Sequence, residues 1–154
     1  MTVFYIDTSS LLKLLIPEPE SAAVQAAVAA EDVVLVSVLT ELEAEVQFRS
    51  GRLGGRLSRI QYRRLSERLA ALKMREPFEP RSLPGSAFQT ALRQHRTHET
   101  FHVRTTDRLH LAAMEELAVR RLMTHDVVLA TAAQAMGYEV LSPGTGSRRP
   151  SAPG

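Results

Sequence analysis

Residues 3–6 (VFYI) and 33–37 (VVLVS) are apolar at consecutive rather than alternate positions. Strands with that pattern are covered on both faces, the condition of a parallel sheet lying between helices. The segments between them supply the helices. LLKLL at 11–15 runs to Pro17, a second helix starts after the prolines of PEPE, and VLTELEAEVQFRSG reads as a third, with Thr40 as a cap and Gly51 as its end. A fourth, from Leu53 to about Met74, carries Leu57, Ile60, Leu65, Leu69 and Leu72 as its apolar stripe. The three prolines of REPFEPRSLPG limit that stretch to a short edge strand. Helices at about 85–96 and 105–118, a strand in RRLMTHD, a helix in VVLATAAQAMG closed by Gly137, and a strand in YEVLS complete the order. This alternation predicts an α/β sandwich, a Rossmann-like parallel sheet with helices on both faces. Residues 1–143 are expected to form one domain. Residues 144–154, proline, glycine and serine without apolar anchors, are expected to be a disordered tail.

A chain of 154 residues is long enough for one real core. No stretch is long and apolar enough to cross a membrane, and the N-terminus lacks a basic-then-apolar leader pattern. There is no cysteine, which excludes disulfides and thiolate metal ligands and points to the reducing cytoplasm.

The net charge of +2 says little, but its distribution says more. Lysine occurs only at Lys13 and Lys73, whereas seven arginines fall between residues 49 and 68, with Glu67 as the only acid among them. Steps of three to five place several on neighbouring helix faces, where like charges repel. Arg56, Arg59 and Arg63 are the candidates for contact with RNA or an acidic protein, because the guanidinium fork suits phosphate. A solvated helix face explains the same pattern without a partner.

The acids are placed more tellingly. Asp7 ends the first apolar run and precedes Thr8, Ser9 and Ser10, all helix-capping types. Asp126 follows the strand before VVLATAAQAMG, while Glu43 and Asp107 fall in early turns of helices. Each alone is explained by capping or by ordinary solvation. Together, in a parallel sheet, they meet at the edge where ligands bind. Converging carboxylates repel unless a cation neutralises them, and Mg2+ or Mn2+ suits an all-oxygen donor set. Such a site activates water against a phosphodiester, which makes nucleic-acid hydrolysis the natural chemistry.

Four stretches carry a resemblance: YIDTSSLLKLLIPE, VSVLTELEAEV, RTTDRLHLAAM and LMTHDVVLATAAQAMGYEVLSP. In this order and spacing the chain resembles PIN domains, and among them the VapC-like ribonuclease toxins of type II toxin–antitoxin systems. The resemblance implies a PIN fold and Mg2+- or Mn2+-dependent cleavage of RNA. It also implies a cognate antitoxin partner and a homodimer. It assigns Asp7, Glu43, Asp107 and Asp126 as the catalytic, metal-holding acids. Glu43 is preferred over Glu41 and Glu45 by its spacing from Thr40. Thr8, Ser9, Thr105 and Thr124 become hydroxyls that orient those acids or metal-bound water, although helix capping accounts for each equally well.

The chain departs from that pattern at Arg108, where these toxins more often carry a small or apolar residue. This arginine either meets phosphate or antitoxin, or faces solvent. His95, His98 and His102 hint at a transition-metal site, but their spacing does not put them on one helix face. His110 reads as a packed, hydrogen-bonded helix residue. Other chemistries fit worse: a haloacid-dehalogenase-type phosphatase needs an aspartate where Ser9 stands, and a receiver domain needs a late lysine. A PIN-like RNA-processing nuclease without an antitoxin, or a non-cutting binding module, remains the alternative. A crowded acidic cleft gives a pure binder no advantage.

Overall fold

The structure, a computed structural model, describes residues 1–146. Five strands, β1 (Val3–Ile6), β2 (Val33–Ser37), β3 (Phe78–Arg81), β4 (Arg121–Met123) and β5 (Glu139–Leu141), form one parallel sheet in the order β3-β2-β1-β4-β5. Seven helices connect them among the described residues: α1 (Thr8–Leu15), α2 (Ser21–Ala29), α3 (Val38–Leu53), α4 (Arg59–Leu72), α5 (Ala87–Thr97), α6 (Thr105–Glu116) and α7 (Val127–Ala135). None of the helices is long and apolar enough to cross a membrane.

Both faces of the sheet are covered, as the unbroken apolar runs require. Phe4, Ile6, Val34, Val36 and Met123 point to one face and pack with Leu11, Val24, Phe48 and Leu69 of α1 to α4. The alternate residues Tyr5, Val33, Leu35 and Leu122 point to the other and pack with Leu111, Met114, Leu129 and Ala133 of α6 and α7. Helix α5 lies on α6, burying Ala87 and Ala91. Strand β3 pairs on one side only, so Pro80, with no N–H to give, is tolerated there.

The chain builds outward from β1 through β2 to β3, then returns to the opposite side of β1 for β4. The direction of build therefore reverses between β1 and β4, and a crevice opens beyond their carboxyl ends. Asp7 and Asp126 stand there.

Three expected boundaries moved. Ser37, not Thr40, caps α3 by accepting from the Thr40 N–H at 3.2 Å, while the Thr40 hydroxyl donates to the Ile6 carbonyl at 3.1 Å. Gly51 lies inside α3, its missing side chain making room for Leu57; the helix runs to Leu53 and ends at Gly54. The arginine-rich fourth helix consequently starts at Arg59 rather than Leu53. Gly55, at φ 78°, turns the chain, and Ser58 with Gln61 forms a reciprocal capping box that starts α4. Arg56 thus sits in the turn, and Ile60, taken as core, is 65% exposed. At the other end, Gly144 packs closely on Glu20 and Ala23; the rest of the expected tail, from 147, lies outside the described residues.

Candidate active site

All four candidate acids line one cleft of about 370 Å³ at the crevice, together with Thr8, Ser9, Lys13, Gln47, Arg104, His110 and His125. Asp7 leaves β1 in extended backbone and caps α1, accepting from the Ser10 N–H at 3.1 Å. Ser9 Oγ reaches both its oxygens, at 2.8 and 2.9 Å, and Thr124 Oγ1 donates to Oδ2 at 2.7 Å. Those hydroxyls are themselves fixed: Ser9 Oγ accepts from the His125 N–H at 2.9 Å, and Thr124 Oγ1 from the Asp126 N–H at 3.0 Å. The turns after β1 and β4 are thereby laced together. Burial pushes the Asp7 carboxyl above its ordinary range, against the opposing pull of His110 and the three donors.

Glu43, on the second turn of α3, accepts from Thr8 Oγ1 at 2.9 Å and from His110 Nε2. Its partial burial favours the protonated form, but the His110 and Thr8 bonds with the nearby charge of Arg104 outweigh it and hold the carboxyl below the usual range. His110 is 3% exposed, and its Nδ1 meets the Tyr5 hydroxyl at 2.7 Å. The two competing glutamates turn elsewhere, Glu41 to Lys73 and Glu45 to Ser66 Oγ at 2.8 Å. Asp107 reaches back to the Arg104 N–H that opens α6, at 3.2 Å, and Asp126 caps α7 through the N–H groups of Val128 and Leu129.

The remaining candidates divide. Thr8, Ser9 and Thr124 touch the acids, whereas Thr105 is exposed at the start of α6 and bonds to none of them. Arg56, Arg59 and Arg63 are exposed and lie outside the cleft; Arg59 and Arg63 flank a shallow groove with Ile60, Arg64 and Glu67. Arg108 neither faces solvent nor lines the cleft. It is 6% exposed, over the Phe101 ring at 5.4 Å and beside Met136, with its Nε unpartnered, and burial works against its charge. His95, His98 and His102 share an open depression with Phe101, on which His98 stacks, but form no metal-holding group.

The cation that sequence reasoning missed is Arg104. Its Nε lies 3.2 Å from Asp107 Oδ2 and its Nη2 3.1 Å from Asp126 Oδ2. The bond to Asp107 first, then the charges of both acids, raise its already high pKa. Its i,i+3 spacing to Asp107 is a local pattern, but the bridge to Asp126 exists only because α6 meets the β4 turn.

The donor chemistry of the cleft, four carboxylates and several hydroxyls, fits a hard divalent cation. As the side chains stand, no three acidic or histidine groups among the described residues are placed to hold one ion. Glu43 is turned to Thr8 and His110, and a guanidinium stands in as the cation between Asp107 and Asp126.

Solved structures of other proteins share the fold, three of them as follows. VapC20 of Mycobacterium tuberculosis, a sarcin–ricin loop cleaving toxin, aligns with a TM-score of 0.67 at 15% identity, over 89% of this chain and 96% of its own. FitAcB from Neisseria gonorrhoeae gives 0.68 at 18% identity, over 91% and 96%. VapBC2 from Rickettsia felis, bound to a DNA fragment from its promoter, gives 0.67 at 10% identity, over 92% and 98%. No curated protein matches the chain by sequence. The profile of the PIN domain covers residues 4–135, and with this sheet order and these neighbours the chain belongs to the PIN-domain family.

Proposed function

We propose that this protein is a Mg2+- or Mn2+-dependent endoribonuclease, the toxin of a toxin–antitoxin pair, working in the cytoplasm as a homodimer and restrained by a cognate antitoxin. The observation that carries the reading is the meeting of Asp7, Glu43, Asp107 and Asp126 in one cleft at the reversal point of a PIN-family sheet. Its structural neighbours include a sarcin–ricin loop cleaving toxin and a toxin–antitoxin complex from Klebsiella pneumoniae.

These four acids would hold the ion, which when bound supplies an activated water and charge for the departing oxygen. The protein's own part is orientation. Ser9, Thr124 and the Ser10 N–H fix Asp7, while Thr8 and His110 fix Glu43, so that each carboxylate is held in place against its neighbours' repulsion. The exposed Arg56, Arg59 and Arg63 offer a phosphate-binding surface apart from the cleft.

The test is RNA cleavage by the purified protein in Mg2+ or Mn2+, its loss in EDTA, and growth arrest on expression of the wild type but not of Asp7→Asn. Cleavage that persists in chelator would sink the carboxylate–metal reading.

A further inference from the structure

Arg104 occupies an unusual position for a surface arginine. Its side chain is 70% exposed, yet it bridges Asp107, whose side chain is 5% exposed, to Asp126 on a different element. The two bonds, at 3.2 and 3.1 Å, tie the start of α6 to the turn after β4. Of the other cations nearby, Lys13 is taken by Glu18 at 2.5 Å and Glu20 at 3.1 Å, and Arg108 is buried away from the cleft. Arg104 is therefore the cation that both the acids and the solvent can reach.

An ion pair with one partner so exposed is weak and easily exchanged. A divalent ion brings twice the charge and approaches carboxylate oxygens at about 2.1 Å, closer than a guanidinium. The two cannot share Asp107 and Asp126 without repelling each other. Displaced, Arg104 stays tethered at the head of α6, and its fork is left at the cleft mouth with no carboxylate to pair. A phosphate is the ligand that fork fits best.

We propose that Arg104 is an exchangeable internal counter-ion. In the metal-free protein it neutralises Asp107 and Asp126; when metal enters it turns outward and holds the backbone phosphate of the RNA. Metal loading and substrate binding are coupled through one side chain. This inference rests on the reading of the cleft as the metal-dependent site.

Its test compares wild type, Arg104→Gln and Arg104→Lys, each checked for folding by circular dichroism. Mn2+ titration calorimetry should show Arg104→Gln binding the ion about fivefold more tightly than wild type, the gain expected from removing one solvent-exposed guanidinium from two carboxylates. Anisotropy of a labelled single-stranded RNA 12-mer in Ca2+, its intactness checked on a gel, should show Arg104→Gln binding several-fold more weakly. Its salt slope should be shallower by about 0.7, the loss of one phosphate contact. Arg104→Lys, which keeps the charge, should recover most of the RNA affinity. Mn2+ affinity equal to or weaker than wild type in Arg104→Gln, or unchanged RNA affinity, overturns the proposal. If neither wild type nor Arg104→Gln binds Mn2+, the metal-dependent reading of the cleft falls, and the exchange falls with it.

Discussion

The Tyr5 hydroxyl lies 2.7 Å from Nδ1 of His110, whose other ring nitrogen, Nε2, meets Glu43. Burial pushes the Tyr5 hydroxyl well above its ordinary pKa, so it stays neutral and keeps a proton to donate. Ser37 Oγ, 2.6 Å away, supplies the Tyr5 oxygen with a donor in turn. With Nδ1 accepting, Nε2 carries the proton that Glu43 receives. A hydroxyl in the middle strand thus orients a carboxylate on α3. We expect Tyr5→Phe to cost about 1 kcal/mol of stability and only a small part of the activity. His110→Ala should lower activity by about 10–100-fold, because it leaves Glu43 unaimed. Urea melts and RNA cleavage on both variants check the order; Tyr5→Phe as harmful as His110→Ala would mean the ring does not relay the constraint.

Asp7→Asn should abolish cleavage while leaving the fold intact. The amide oxygen can still accept from the Ser10 N–H, and a buried charge that burial already disfavours is removed. In EDTA its melting temperature should equal or exceed that of wild type. Added Mn2+ should raise the melting temperature of wild type only, by mass action. A destabilised Asp7→Asn, or an equal response to Mn2+, would speak against Asp7 as an ion-holding residue.

Among the three glutamates of α3, only Glu43 faces the cleft. Glu43→Gln should lose activity, whereas Glu41→Gln and Glu45→Gln give up only half-buried partners outside the cleft, Lys73 and Ser66, at a cost of about 1 kcal/mol. Cleavage assays on the three single variants test the ranking, and the opposite order would assign the role to a different glutamate.

Away from the cleft, Arg121 grips Glu31 through two bonds, of 2.7 and 3.0 Å. The Arg121 bond holds the Glu31 carboxyl below its usual range. A carboxyl depressed on folding adds stability above its unfolded pKa and loses that stability as the pH falls through the folded one. Glu31→Gln should therefore be about 1–2 kcal/mol less stable than wild type at pH 7, with the gap closing below about pH 4. Urea melts at stepped pH report it; a gap that widens in acid would reverse the assignment.

Replacing Arg56, Arg59 and Arg63 with glutamine should weaken RNA binding and flatten its salt dependence by a slope of about 2, if each meets one phosphate. Metal affinity should not move. Equal slopes for the triple variant and wild type would leave these arginines as solvated surface.

Much of this was legible in the residues. Unbroken apolar runs required a covered parallel sheet, and the acids could be placed at its carboxyl edge from strand order alone. The two readings of Asp7 turned out compatible: it caps α1 and also faces the cleft. The break between α3 and α4 is expected at Gly51 and lies a few residues later, at the turn that Gly54-Gly55 and the Ser58–Gln61 box mark. The burial of Arg108 was written in its spacing, one turn before Leu111 on the face of α6 that meets the sheet. Arg104 was legible only in part. Its pairing with Asp107 is a local i,i+3 contact, but Asp126 comes from the turn after β4, and only the packing of whole elements decides that all three meet.

The strand order also has a consequence for how the protein is made. Thr124 steadies Asp7 across 117 positions of chain, and the Asp7 N–H bonds to the Met123 carbonyl. A ribosome releases the first of these partners long before the second, and β4 can join β1 only after most of the polypeptide has emerged. A nascent chain therefore carries Asp7 and Glu43 without Asp107, Asp126 or the hydroxyl that steadies Asp7. The cleft that the proposed function places at this edge is incomplete until the fourth strand docks.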